Sequence, residues 1–325
     1  MKFLKLLSLV LVFIGLVGCY ESVGPRETGS FDRTLQVSGP VDLNVVSGAG
    51  NIKVHAGGDG RVHVYAVIHA RGSWSGMSAS EKIKKLQANP PVEQQGNTIH
   101  IGRIDDRDLQ RNVSIDYDLT APAQTKVSSQ TGSGDQEING VQLAVNAHTG
   151  SGNIMVENIG ADVRARSGSG DLRIDGVKGA LDAEAGSGNI RGHGIAGGVS
   201  ANTGSGTIEI EQVAAGNVRA EAGSGNVRLH GVQGGLKAET GSGDITVDGN
   251  PTGDWRVGAG SGNIDLKIPS TASFNIDART SSGSLKVNHQ VTMQGSISRD
   301  HVQGKVGNGG ALVDLHTGSG DIQVN

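Results

Sequence analysis

The sequence predicts an all-β chain: a single parallel β-solenoid of two-strand rungs, about 18 residues each, behind an irregular N-terminal cap with one short helix. Three observations carry this. Gly-Ser-Gly followed by Asp, Asn or Thr begins at Gly132, Gly150, Gly168, Gly186, Gly204, Gly223, Gly241, Gly260 and Gly318. Successive copies lie 18 or 19 residues apart as far as Gly260, and a fixed short period marks stacked copies of one supersecondary unit. Finally, the 325 residues include 53 Gly and only 3% aromatics, which suits a thin stack of small apolar residues better than a thick mixed core.

Each copy reads as strand, bend, strand, turn. After the turn, apolar residues alternate with polar ones: Ile154 and Val156, Leu172 and Ile174, Ile208 and Ile210, Val227 and Leu229. A period of two marks a strand with one buried face. A third apolar column follows at Val141, Ile159, Val177, Ile195, Val213 and Val232, next to a Gly-rich bend. The second strand alternates around small residues, as in Val163 and Ala165 or Leu181 and Ala183, so the two sheets are expected to approach closely there. One rung buries too little to fold alone, and stacking supplies the rest.

The turn glycines are expected to allow sharp corners. The aligned Asp135, Asn153, Asp171, Asn189, Asn226, Asp244, Asn263 and Asp321 are expected to form Asx-type turns with nearby amides. A degenerate copy, Ser281-Ser282-Gly283-Ser284, fills the long gap before Gly318, and residues 285–317 are read as one long or two irregular rungs. The chain ends on a strand, which leaves either an uncovered edge or one covered by a returning loop.

The N-terminus reads as a leader. Lys2 and Lys5 precede the apolar run Leu6 to Val17, too short to span a bilayer comfortably, and Leu16-Val17-Gly18-Cys19 follows. This ending resembles the lipobox of bacterial lipoproteins, which implies cleavage before Cys19 and lipidation of that residue. Cys19 is the only cysteine, so no disulfide within the chain is expected. By the same resemblance, Tyr20 rather than Asp after the cysteine implies the outer membrane. Expected divisions are 1–18 signal peptide, 19–30 lipidated Cys and tether, 31–129 cap, and 130–325 solenoid. Losing Lys2 and Lys5 takes the formal charge from −4 to −6, which gives no electrostatic case for nucleic acid.

Within the cap, Val41 to Val45, Asn51 to His55, Val62 to Ile68, Thr98 to Ile101 and Val113 to Leu119 read as strands, and Ser47-Gly48-Ala49-Gly50-Asn51 as a diverged turn. Ser78-Ala79-Ser80-Glu81 has capping-box spacing, with Met77, Ile83 and Leu86 on one face before Asn89-Pro90-Pro91. That order matters as a whole. Asn51-Ile52-Lys53-Val54, then the Ser-Glu-Lys helix, then Tyr117-Asp118-Leu119-Thr120-Ala121-Pro122-Ala123, then a Gly-Ser-Gly-Asp array resembles the bacterial DUF4097 family over roughly residues 31–325. GIN-type adhesin heads share this look. The resemblance implies a β-solenoid at the cell envelope, often labelled adhesin, and supplies no catalytic residues.

Other chemistry is weaker. Calcium-binding nonapeptide repeats also use Gly-rich turns, but the aligned site is acidic only at Asp135, Asp171, Asp244 and Asp321, and Thr207 interrupts it. A polysaccharide-active enzyme would need paired acids in a defined context, and Glu209 and Glu211 have none. Arg164 and Arg166 beside Asp182 and Glu184, and Arg219 and Glu221 beside Lys237 and Glu239, read as cross-strand pairs. His193 and His230 share an aligned position with Glu211 between them, a pattern more often exposed strand than metal site.

The expectation is a non-catalytic, lipid-anchored envelope protein without cofactor or metal, contacting glycan or an envelope protein. An envelope-stress sensor is the alternative. Oligomeric state is open.

Overall fold

The computed structural model describes residues 26–72, 76–293 and 298–325. Two sheets of 14 and 15 strands stack face to face, and the chain alternates between them once per rung. Through the repeats all pairings are parallel, and they keep register except for shifts after Gly192 and after Leu229. Val145, Val163, Leu181, Val199, Val218 and Leu236 are neighbours in one sheet. Ile154, Leu172, Ile190, Ile208, Val227 and Ile245 are neighbours in the other. All are buried between the sheets, with Ala147, Ala165, Ala183, Ala201, Ala220 and Ala238 beside them. The period of two thus becomes one continuous apolar layer.

The third column holds at Val141, Ile159, Val177, Ile195 and Val232, but not at Val213, which is 57% exposed. Gln212 takes its place opposite Ile195, where the register shifts. This is a rung with 19-residue spacing to the next copy. The longer bend brings carbonyl groups inward, and the Gln212 amide donates to those of Gly197 at 3.0 Å and Gly216 at 3.2 Å. A valine there would leave them unpaired.

The cap is continuous with the stack. Strands β1 (Arg26–Gln36), β2 (Val41–Ser47), β3 (Ile52–Ala56), β4 (Arg61–Arg71), β5 (Val92–Gln95), β6 (Thr98–Ile101) and β7 (Val113–Ala121) belong to the same two sheets. Residues 26–30, within the segment expected to be tether, are therefore strand. β2 and β3 form a rung directly beneath the one at Thr125–Thr131 and Gln136–Asn139. The intervening chain folds outside that rung: β7 pairs with β3, β4 with β7 and β1 with β4, the last two antiparallel.

Helix α1 (Ala79–Ala88) starts at Ser78 with the full capping box and buries Ala79, Ile83 and Leu86. Lys82 is buried with them, its Nζ donating to the carbonyls of Arg111 at 2.6 Å and Arg71 at 3.3 Å, which ties the helix to the end of β4 and to the segment just before β7. A second short helix, α2 (Arg107–Gln110), begins at Asp106. The sequence reading expected one helix, and four residues are too few for periodicity to register.

The C-terminal end departs from chain order. After Ile264–Lys267 the chain skips a position and builds an outermost rung from Phe274–Ser282 and Leu285–Val287. Val291–Met293 and His301–Val306 add antiparallel strands outside it. Leu312–Ser319 then enters between Trp255–Ser261 and Phe274–Ser282, and Ile322–Val324 between Ile264–Lys267 and Leu285–Val287. Residues 285–317 are thus an end rung's second strand, an antiparallel pair and a return, rather than one or two rungs. The final strand is paired on both sides, so neither the open edge nor the covering loop describes it.

Candidate functional site

The repeated polar residues have a definite place. The residue before each turn is a buried hydroxyl in most rungs: Ser47, Thr131, Thr149, Ser167, Thr203, Thr240, Thr317 and Thr280. In the earlier rungs it bonds twice. Thr149 Oγ1 donates to Gly134 O of the rung below at 3.0 Å and accepts from Gly152 N of its own turn at 3.1 Å. Ser167 and Thr203 repeat the pattern. The sequence reading missed this column, although Thr or Ser before Gly-Ser-Gly was its signal.

The Asp and Asn column also bridges rungs instead of closing local turns. Asp135 Oδ1 accepts from Asn153 N at 2.7 Å, Asn153 from Asp171 N at 2.9 Å, and Asp171 from Asn189 N at 2.8 Å. The ladder starts at Asp116, which takes the N–H of Asn51, and ends where Asp321 takes that of Ser284. The N–H and hydroxyl of Ser284 hold the Asp321 carboxyl below its ordinary value. A shorter ladder at the opposite bend uses Asp162, Asn217 and Asp254.

Turn glycines are needed chiefly for close approach. A Cβ on Gly152 would fall inside contact of the Gly134 carbonyl oxygen one rung below. From the Gly223 turn onward a second requirement appears: Gly225 has φ +146°, where other residues are strained. Its N–H goes to Ser242 O at 2.8 Å in place of a hydroxyl. Corner geometry, the expected reason, therefore applies to the Gly-Ser-Gly turns only from Gly225 on, while in the earlier rungs it holds at the other bend, where Gly140, Gly176 and Gly194 have positive φ.

Outward charges pair across rungs as their alignment predicted. Arg164 Nε meets Asp182 at 2.7 Å and Arg166 Nε meets Glu184 at 3.1 Å. Lys237 Nζ bridges Glu221 at 2.7 Å and Glu239 at 2.9 Å. The Lys237 ammonium, with Arg219 behind it, holds the Glu221 carboxyl below its ordinary range despite burial, and Glu221 and then Glu239 raise Lys237. Where the bend carries Ala144, Ala180 and Gly198, a groove of about 570 Å³ runs along the stack over Val145, Val163, Leu181 and Val199, with Asn146, Arg164, Asp182 and Ser200 on its rim.

Glu211 pairs in register with His230, and His193 Nδ1 lies 3.4 Å from Glu211 on the other side, where the register shifts. Among the described residues no three His, Cys, Asp or Glu side chains are placed to hold a metal ion. Cys19 and the segment expected to be a leader lie outside the described residues. No described helix is long and apolar enough to cross a membrane.

Comparison with solved structures gives several likenesses, among them the following three. A candidate cell-adhesion protein from Clostridium sporogenes is 8% identical, with TM-score 0.22, over 92% of this chain and 99% of the other. A candidate adhesin from Bacteroides fragilis is 14% identical, with TM-score 0.37, over 91% and 97%. One from Parabacteroides distasonis is 11% identical, with TM-score 0.30, over 91% and 97%. No curated protein matches the sequence. The family assignment comes from two overlapping matches, over residues 32–195 and 161–325, which together take in the cap, every rung and the inserted C-terminal strands: the chain belongs to the Toastrack DUF4097 family.

Proposed function

We propose that the protein is a lipid-anchored, non-catalytic contact protein of the bacterial cell envelope, of adhesin type, held in the outer membrane through Cys19. One observation supports this reading most: the polar residues that repeat from rung to rung are spent on the stack. The hydroxyl and Asx columns bond to neighbouring rungs, and the outward charges bond to one another. A long flat surface remains, with a shallow groove and mixed charge, suited to many weak contacts with glycan or an envelope protein. Multivalency then supplies the strength that a deep pocket supplies elsewhere.

Three experiments test it. Removing residues 150–203, three rungs of 18 residues, rejoins Thr149 to an equivalent turn at Gly204. The shortened protein is expected to fold and to bind cells or envelope material more weakly; unchanged binding refutes the contact role. Protease shaving of intact and permeabilised cells tests exposure. Cleavage on intact cells supports an outward contact surface, and protection until permeabilisation rejects it in favour of a periplasmic role. Replacing Cys19 with Ala is expected to release the protein from membranes and to abolish labelling by an alkynyl fatty acid.

A further inference from the structure

Tyr117 raises a question that the stacked core does not answer. It stands on β7 with 2% of its surface exposed, edge-on to Phe31 at 6.5 Å. Its hydroxyl is buried and has no hydrogen-bond partner among the described residues. A buried hydroxyl without a partner calls for a water or a ligand to complete it.

The same tyrosine lines a cavity of about 380 Å³ between the end of β2, the loop after β6, α2 and the start of β7. That volume lies in the range of small-molecule sites, roughly 300–1,000 Å³. Val46, Ile104, Val113 and Ile115 form the apolar part of its walls, and no Lys, Arg, His, Asp or Glu lines it. Two of its polar side chains already bond within the protein. Ser47 donates to Ile115 O and accepts from Gly50 N, both at 3.0 Å, and the Gln110 amide donates to Ile104 O. Burial raises Tyr117 above its ordinary value, so the hydroxyl keeps its proton and can donate.

Gly102 keeps the space open. Its φ is +90°, and a Cβ there would stand 3.2 Å from the Tyr117 hydroxyl oxygen and inside contact of the Val46 carbonyl oxygen. A second cavity of about 560 Å³ shares Val46, Gly102, Ile104 and Gln110 and is bordered by Glu93, His100, Arg103 and Asp105. The inner chamber is therefore uncharged, while the adjoining one carries charge. Val46, 48% exposed, stands at their junction.

We propose that this chamber binds a small uncharged molecule with an apolar body and one carbonyl oxygen, which accepts the hydrogen bond of Tyr117. Charge is excluded because the chamber holds no counter-ion. The inference does not depend on the contact-surface reading.

The test uses cyclohexanone and cyclohexane as probes on the whole mature protein, read by ligand-detected NMR. Cyclohexanone is expected to bind at millimolar concentration, and Tyr117→Phe to weaken it about tenfold, the range of one hydrogen bond. Cyclohexane, which takes no hydrogen bond, is expected to bind both proteins alike, and ligand-free Tyr117→Phe to melt no lower than wild type. Ile104→Trp, which fills the chamber from its rim, is expected to abolish both. Equal binding of cyclohexanone to wild type and Tyr117→Phe overturns the proposal. So does failure of either probe to bind, or an ordered water on the hydroxyl that cyclohexanone does not displace.

Discussion

The N–H of Asp321 donates to the side-chain oxygen of Asn263, 58 positions earlier, at 2.9 Å, and Asp321 Oδ1 takes the N–H of Ser284, 37 positions earlier, at 2.7 Å. Asp321 thus lies between two rungs that both precede it in the chain. The last rung closes a gap already flanked on either side, so the sheets become continuous only when the C-terminus arrives.

A chain ending at Ala311 is therefore expected to lose on the order of 5 kcal/mol or more, from the burial of Val313, Leu315, Ile322 and Val324. Added in trans, a peptide of residues 312–325 is expected to restore the melting temperature saturably. The same peptide with Ile322→Asp and Val324→Asp is the control. If both peptides act alike, or neither acts, the gap does not persist in the truncated chain.

Equivalent glycines should differ by what lies beneath them. A Cβ on Gly150 or Gly204 falls inside contact of a carbonyl oxygen one rung below, whereas one on Gly48, in the turn under Gly132, meets nothing within 4 Å. Gly204→Val is expected to cost about 2 kcal/mol or more by overpacking. Gly48→Ala is expected to lie within about 0.5 kcal/mol of wild type. Urea denaturation of both variants measures the contrast, and equal costs would contradict close approach as the reason for glycine.

The hydroxyl column has a gap at Ala185, which is buried and stands where Ser167 and Thr203 bond in the adjacent rungs. A serine there can donate to Gly170 O and accept from Gly188 N. Ala185→Ser is expected to stabilise by about 1 kcal/mol, and Thr149→Ala to destabilise by about 1–3 kcal/mol, because it strands two turn groups. Thermal melts of the two single variants suffice. A loss of stability in Ala185→Ser would mean that the turn at Gly186 cannot seat a hydroxyl.

What was legible in the sequence follows from what repeats. The alternation of Leu172 and Ile174, or Val227 and Leu229, reports burial directly, and eighteen-residue spacing puts Arg164 beside Asp182 without coordinates. Gln212 was not legible, because its burial depends on carbonyl groups that a one-residue insertion turns inward. Nor was the place of Leu312–Ser319, since periodicity gives neighbours in chain order and this rung breaks that order. The Tyr117 chamber lies between four elements whose packing no local pattern encodes.

The Glu221–Lys237 pair gives a dependence on pH with a definite sign. Lys237, then Arg219, lowers the Glu221 carboxyl from its ordinary 4.5, so the stabilisation is complete above that value and fades as pH falls through the lowered one. Glu221, then Glu239, raises Lys237 from its ordinary 10.5, so its part is complete below that value and fades as pH rises through the raised one. Glu221→Gln is expected to lower the melting temperature by a constant amount between about pH 5.5 and pH 9.5 and to approach wild type only as pH falls below the lowered Glu221 value. Both side chains are partly in solvent, 24% and 35% exposed, so added salt should shrink the difference. Lys237→Met tests the other partner, and its cost should disappear in acid together with that of Glu221→Gln. A cost that stays constant into acid would assign the effect to packing of the long side chains along the sheet, since packing carries no proton.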